Sequence, residues 1–179
     1  MIISVDTVKN LIDFAGWTDE KIERKLKAIE QTIRKYTNNN FQKRAYRKTA
    51  DIVSGLFYVD EPELFKVGDT VQVSESELNG GLFTVASVSE DNFTVEEEYT
   101  VDEENVLVTK IEYPDDVVDC AVNLLEWEVK NRSKVGVKSE SKTLSRHSES
   151  VTYEDSASMF MGYPKGILSG LCLHKKARF

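Results

Sequence analysis

Histidine, cysteine and long apolar runs are all scarce in this chain of 179 residues. Its two cysteines, Cys120 and Cys172, both have apolar neighbours. Two such cysteines predict small buried thiols in a reducing compartment, because a fold held together by disulfides needs more cysteine pairs. No segment approaches the roughly 20 apolar residues that cross a bilayer, and the opening "MIISVDTVKN" lacks the parts of a secretory leader. These absences predict a soluble, cytosolic protein.

Residues suited to catalysis or metal binding are also few. The histidines are His147 and His174, and neither cysteine has a companion at the spacing of a metal site. The stretch "SRHSE" places Ser145 and Ser148 beside His147. A nucleophile and its base must converge in space, so we interpret this stretch as a loop. The run "EEEYTVDEEN" lacks the alternating oxygen ligands of a calcium loop. The sequence predicts no enzyme, no cofactor and no metal.

Helical spacing dominates both sides of the middle of the chain. Ser4 is a suitable N-cap for a first helix, which we expect to end at Gly16. Thr18 is a suitable N-cap for a second, whose apolar residues form one narrow stripe on a charged rod. Pro114 opens a third helix with a wide apolar face, predicted to be the most buried. The stripe of the second helix consists of Ile22, Leu26, Ile29, Ile33 and Tyr36.

Between the second and third helices the apolar residues alternate with polar ones instead. About five short strands fit this region, which predicts a small antiparallel barrel inserted into a helical unit. The predicted fold class is therefore α+β: a helical core of about three helices, an inserted small antiparallel β-barrel, a long arm and an extended C-terminal tail. The predicted domains are a helical core at 1–45 and 113–135, the barrel at 46–112, a polar arm at 136–156 and the tail at 157–179.

Charge separates two interpretations of the barrel. The formal net charge of the chain is −8, which argues against tight binding of nucleic acid. The stretch "FQKRAYRK" nevertheless interleaves Phe41 and Tyr46 with basic residues, as in small barrels that bind nucleic acid. Acidic residues elsewhere in the barrel would repel phosphate, so we favour contact with an acidic neighbour, such as another copy of the same protein. The basic residues are Lys43, Arg44, Arg47 and Lys48.

The order of these parts resembles the head–tail connector adaptors of tailed bacteriophages. The resemblance rests on two N-terminal helices, a third after "YPDDV", a Ser-rich arm "GVKSES…SVTYED" and the basic end "ILSGLCLHKKARF", and it covers nearly the whole chain. The stretch "FKVGDTVQVSESELNGGLFTVASV" is similar to the barrel insertion of a subgroup from phages and prophages of Gram-positive hosts. His174 stands where the family usually has an aromatic residue, and lysines replace most of its arginines.

The resemblance implies a structural virion protein of the head–tail interface that assembles in the host cytoplasm. Family members form a dodecameric ring between the portal protein of the capsid and the next neck or tail-completion protein, and DNA passes through the channel without specific binding. Their C-terminal segment reaches the portal, so we expect an apolar and basic docking surface there. The portal-docking candidates are Ile167, Leu168, Leu171, Lys175, Lys176 and Arg178.

A ring would also need a channel wall to which passing DNA does not stick. Like charge keeps phosphates hydrated and off the wall, so acidic residues should line part of it. Two other interpretations stay open: a non-viral protein or nucleic-acid binding module that uses the barrel, and a C-terminal helix that simply packs on the core. The channel-facing candidates are Glu96, Glu97, Glu98, Glu140 and Glu149.

Overall fold

The structure is a computed structural model, and it describes residues 1–97, 99–131, 139–144, 147–152 and 158–177. Between residues 139 and 152 it describes the backbone alone.

The chain divides into two compact units. One, the barrel unit, contains Met1–Ile2 and Asn39–Pro114, and the other, the helical unit, contains Ile3–Asn38 and Asp115–Phe179. The barrel unit thus begins a few residues before the boundary expected at residue 46. The helical unit is discontinuous in sequence, because the barrel separates its second and third helices.

Capping residues fix the first two helices of the helical unit. Helix α1 spans Val5–Lys9, and the Thr7 N–H donates to the Ser4 side chain at 3.2 Å. Helix α2 spans Asp19–Thr37 and begins at the N-cap Thr18. Four apolar residues of the predicted stripe of α2 are fully buried, and Tyr36 is half-buried. The buried four are Ile22, Leu26, Ile29 and Ile33.

Helix α1 is shorter than expected. The apolar spacing predicted a helix to Gly16, but α1 ends at Lys9 with Asn10 as its C-cap. Leu11 is exposed, whereas Ile12 is buried. The helical spacing of apolar residues was therefore misleading here, because Leu11, which completed the pattern, does not face the core.

Helix α3 spans Asp115–Asn131 and buries six residues, the same number as α2. Its fourth turn also buries a charge: Glu128 is almost fully buried and accepts from the Lys25 ammonium of α2 at 3.2 Å. A buried carboxylate needs such a partner, since desolvation disfavours an isolated charge. The other buried residues of α3 are Val117, Cys120, Ala121, Leu124 and Leu125.

Six antiparallel strands form a closed barrel in the described part of the barrel unit, in the order β1-β2-β5-β4-β3-β6. Pairing of the first strand with the last closes the sheet, with Thr49 opposite Leu107. Phenylalanines fill the interior, and the rings of Phe57 and Phe93 stack with centroids 5.0 Å apart. The strands are β1 (Gln42–Val53), β2 (Leu56–Val59), β3 (Thr70–Ser74), β4 (Gly81–Val88), β5 (Asn92–Val95) and β6 (Glu103–Ile111).

The two ends of the barrel insertion lie side by side. Gln42 pairs with Ile111 at the open ends of β1 and β6. Just outside them the Glu112 N–H donates to the Phe41 carbonyl at 3.0 Å, and the ring of Phe41 lies 5.0 Å from that of Tyr113. Adjacent ends are what insertion into a continuous domain requires.

The predicted fold is wrong in its tail and in its counts. The C-terminal segment is not extended: it forms helix α4 (Lys165–Ser169) and a terminal 3-10 helix (Gly170–His174), both of which pack on α3. The described residues therefore contain four α-helices where about three were expected, and six barrel strands where about five were expected. The physical reason is that the apolar residues of the tail bury against the helices of their own unit.

Two small hairpins precede helix α4. Strand β7 (Ser139–Leu144) pairs antiparallel with β8 (His147–Thr152), within the region predicted as the arm. The rest of that predicted arm lies outside the described residues. Strands β9 (Met159–Phe160) and β10 (Tyr163–Pro164) form a miniature hairpin next to α4.

Candidate interaction surfaces

The predicted portal-docking residues divide into a buried and an exposed set. Leu168 and Leu171 have 0% and 1% of their surface exposed and belong to the core of the helical unit. They are therefore unavailable to a partner while the unit stays folded, which corrects their assignment as docking residues. Ile167 is half-buried, and Lys175 and Lys176 are exposed. Arg178 lies outside the described residues.

Hydrogen bonds attach the end of the described chain to helix α2. The Lys176 N–H donates to the Thr37 carbonyl at 2.8 Å, and the Asn38 amide donates to the Ala177 carbonyl at 3.1 Å. His174 also meets Asp116 of α3, with 2.7 Å between Nε2 and Oδ2. This bond from His174 lowers the pKa of the Asp116 carboxyl. The segment is thus fixed by polar contacts as well as by its leucines.

A groove of about 670 Å³ opens beside this segment, in the helical unit. We call it the lysine-rimmed groove, because three exposed lysines, Lys35, Lys165 and Lys175, border a largely apolar surface. The Lys175 ammonium lies 3.9 Å from the centre of the Tyr36 ring, a cation–π contact. The remaining lining residues are Tyr36, Phe160, Met161, Leu168, Ser169 and Cys172.

The β9–β10 turn brings two apolar side chains to the groove. Met161 and Gly162 form its tip, with φ of 53° and 84°. Glycine suits such a conformation, whereas methionine adopts it at a cost. Phe160 and Met161 are 44% and 47% exposed, and the Phe160 ring meets the Tyr36 ring edge-on at 5.4 Å. Apolar side chains held open in this way are typical of an interaction surface.

The predicted basic cluster is largely engaged inside the barrel unit. Lys43 pairs with Glu112, which raises its pKa through a side-chain hydrogen bond. Arg47 donates to Thr109 at 3.1 Å and to Gln42 at 3.0 Å. Lys48 lies 2.7 Å from Glu61, and Arg44 is exposed. Contact of this cluster with a ring neighbour stays a prediction, and its charges are already partly balanced within the barrel.

The channel-facing candidates fall in two regions. Glu96 is exposed, and the half-buried Glu97 accepts from the Thr84 N–H at 3.0 Å. Glu98 lies outside the described residues. Glu140 and Glu149 lie on strands β7 and β8, in positions that face Val151 and Lys142 across the hairpin; the structure describes only their backbone. Their exposure to a channel stays a prediction.

Tyr99 is a candidate that the sequence analysis missed. Its side chain is 82% exposed, in the loop between β5 and β6. Asn79 holds that loop on the barrel, because its amide accepts from the Val101 N–H at 2.8 Å and donates to the Val101 carbonyl at 2.9 Å. The sequence does show an aromatic residue inside an acidic run, and that pattern could have identified Tyr99. We name Tyr99 with its acidic neighbours Glu96, Glu97 and Asp102 the Tyr99 loop.

Cys120 is a buried cysteine of helix α3. Burial, with a smaller effect of Asp116, raises the pKa of the Cys120 thiol to about 11, so this cysteine stays protonated. No three His, Cys, Asp or Glu side chains of the described chain are placed to hold a metal ion. The side chains of "SRHSE" lie outside the described residues.

Within the described ranges, no helix has both the length and the apolar composition that crossing a membrane requires. Comparison with protein families finds none that matches this chain, and no curated protein is detectably similar to it.

Proposed function

We propose that this chain is a structural, ring-forming adaptor of a tailed phage, which joins the portal of the capsid to the next neck or tail protein and extends the DNA channel. The observation that carries the proposal is the order of elements: a helical unit, interrupted by a closed barrel and followed by the β7–β8 hairpin. That order is the one on which the resemblance to connector adaptors rests.

The β7–β8 hairpin supports assembly with other chains. Its two strands form a sheet of their own and pair with no other strand among the described residues. A lone two-stranded hairpin is marginally stable in water, and its outer edges present unpaired N–H and C=O groups to which another chain can add a strand. An arm of this kind is suited to a neighbouring subunit.

The uneven charge of the two units supports both assembly and a DNA channel. Residues 39–114 contain 16 Asp and Glu against six Lys and Arg, a formal charge of −10. The rest of the chain contains 15 against 17, a formal charge of +2. Units of opposite sign attract each other between copies, while the acidic barrel repels phosphate and would leave passing DNA hydrated. DNA therefore passes without specific binding.

Mass measurement tests this proposal. We expect sedimentation velocity and native mass spectrometry to find high-order rings, either for the purified chain alone or after addition of portal protein. A variant with residues 139–152 replaced by a Gly/Ser linker provides the control, since it should keep both units and lose ring stability. A chain that stays a monomer in both conditions, or forms only a one-to-one complex with a different partner, would refute the adaptor and favour a binding module based on the barrel.

A further inference from the structure

We propose that the lysine-rimmed groove binds the Tyr99 loop of a second copy of this chain. The inference rests on the proposed self-assembly and names the contact that would produce it. Groove and loop are different surfaces, one on the helical unit and one on the barrel unit. A contact between two different surfaces is heterologous, and repetition of a heterologous contact closes into a ring when the rotation allows.

The groove has the composition of a site for an aromatic side chain. Its surface includes the ring of Tyr36 and the exposed side chains of Phe160 and Met161. Its volume of about 670 Å³ is within the range of binding pockets. Aromatic rings pack well edge-to-face and beside methionine sulfur. The groove therefore favours an aromatic anchor over a purely charged ligand.

The Tyr99 loop presents such an anchor in a fixed position. Besides the Asn79 contacts, the Glu97 carboxylate accepts from a backbone N–H of β4, and the Asp102 carboxylate accepts from the Ser54 N–H at 2.7 Å. These bonds hold both flanks of the loop on the barrel, while the ring of Tyr99 stays in solvent. Because these flanking residues are already held on the barrel, they lose little entropy on binding, so the tyrosine between them can contribute strongly.

Charge decides which partner fits. The groove is bordered by Lys35, Lys165 and Lys175, and the Tyr99 ring is flanked by carboxylates on the more acidic of the two units. An aromatic residue between acidic ones complements an apolar surface between lysines. A second copy of the chain carries a Tyr99 loop that can bind between these lysines. The basic surface is therefore occupied without an additional protein.

Two point variants and two matched controls test the contact. Lys35→Glu alters the groove rim, and Lys27→Glu makes the same charge change elsewhere on α2. Tyr99→Ala removes the anchor, and Tyr58→Ala removes another exposed tyrosine of the barrel. We expect Lys35→Glu and Tyr99→Ala to weaken self-association about tenfold or more in sedimentation equilibrium, and the two controls to leave it near wild type. All four positions are on the surface, and far-UV circular dichroism checks that each variant is folded.

Mixing the two active variants gives a sharper result. The Tyr99→Ala chain keeps an intact groove, and the Lys35→Glu chain keeps an intact loop. Together they should form a complex of two chains that grows no further, because one good contact remains per pair. Mixed variants that stay monomeric, or that assemble as well as wild type, would overturn the proposed contact.

A peptide separates failure of this contact from failure of ring assembly. The probe is a fluorescein-labelled peptide of residues 94–104, titrated into the full chain and followed by anisotropy. If wild type assembles and both active variants assemble equally well, the contact is wrong and the adaptor proposal stands. If the chain forms dimers or open chains that both active variants abolish, but no closed rings, the contact is right and ring assembly is wrong. A peptide that does not bind argues against the groove as its site.

Discussion

Shortening Leu168 to alanine tests whether the C-terminal segment belongs to the core of the helical unit. Leu168 is fully buried in helix α4. The change removes three carbon atoms, worth about 2.4 kcal/mol at about 0.8 kcal/mol for each buried CH₂. The cavity left behind adds to this, so we expect the unfolding free energy to fall by about 2–5 kcal/mol. A loss of this size is a large fraction of the stability of a domain.

The chain offers a matched control and a selective signal. Leu173 lies on the same terminal segment but is 92% exposed, so Leu173→Ala should change stability by about 0.5 kcal/mol or less. Both tryptophans, Trp17 and Trp127, belong to the helical unit. Their emission during urea unfolding therefore follows that unit and not the barrel.

The two variants should differ clearly in urea. With a slope near 2 kcal/mol per molar urea, Leu168→Ala should lower the midpoint by about 1–2.5 M relative to wild type. Leu173→Ala should leave the midpoint almost unchanged. Equal midpoints for the two variants would refute the burial argument and return Leu168 to the set of docking residues.

Three further predictions concern polar contacts. Lys25→Ala should destabilise the helical unit by about 1.5–3 kcal/mol, because it removes a charged hydrogen-bond donor from the buried Glu128, and Lys25→Met combined with Glu128→Leu should recover much of the loss in urea unfolding. Asn79→Ala should cost the barrel about 1–3 kcal/mol and speed amide exchange in its strands. The lowered pKa of Asp116 contributes stability above the ordinary aspartate pKa that is lost as pH falls through the folded value. Asp116→Asn should therefore make the acid unfolding curve shallower, and an unchanged curve would show that His174 contributes nothing there.

Local signals predicted the long helices well. Thr18 followed by acidic residues fixed the start of α2, and the stripe from Ile22 to Ile33 is buried as expected. Such elements are predictable because a cap and a periodic apolar face both act within a few turns of chain. The alternation in the middle of the chain likewise predicted a small barrel, although strands of four residues such as β2 and β5 are too short to count reliably from sequence.

The tail and the Tyr99 loop show where sequence reasoning failed. The spacing of Leu168 and Leu171 indicates an apolar face, but the same face can bury in its own unit or meet a partner. Because lysines follow these leucines, binding to a partner was the preferred interpretation. The packing of the segment on α3 shows instead that the leucines belong to the core of their own unit. Tyr99 was overlooked because its acidic surroundings indicate a solvated edge, and only the bonds from Asn79 and Glu97 reveal that the loop is held in place.

The side-by-side ends of β1 and β6 have a mechanical consequence. If force separates Gln42 from Ile111, it opens the pairing of these strands from its free end, so the hydrogen bonds break one after another. Shear along the strands would load many of them together. The contact between the tilted rings of Phe41 and Tyr113 and the bond from Glu112 lie at the point where such opening would begin. These contacts must break first when the ends of β1 and β6 are pulled apart. The barrel therefore resists force least in that direction.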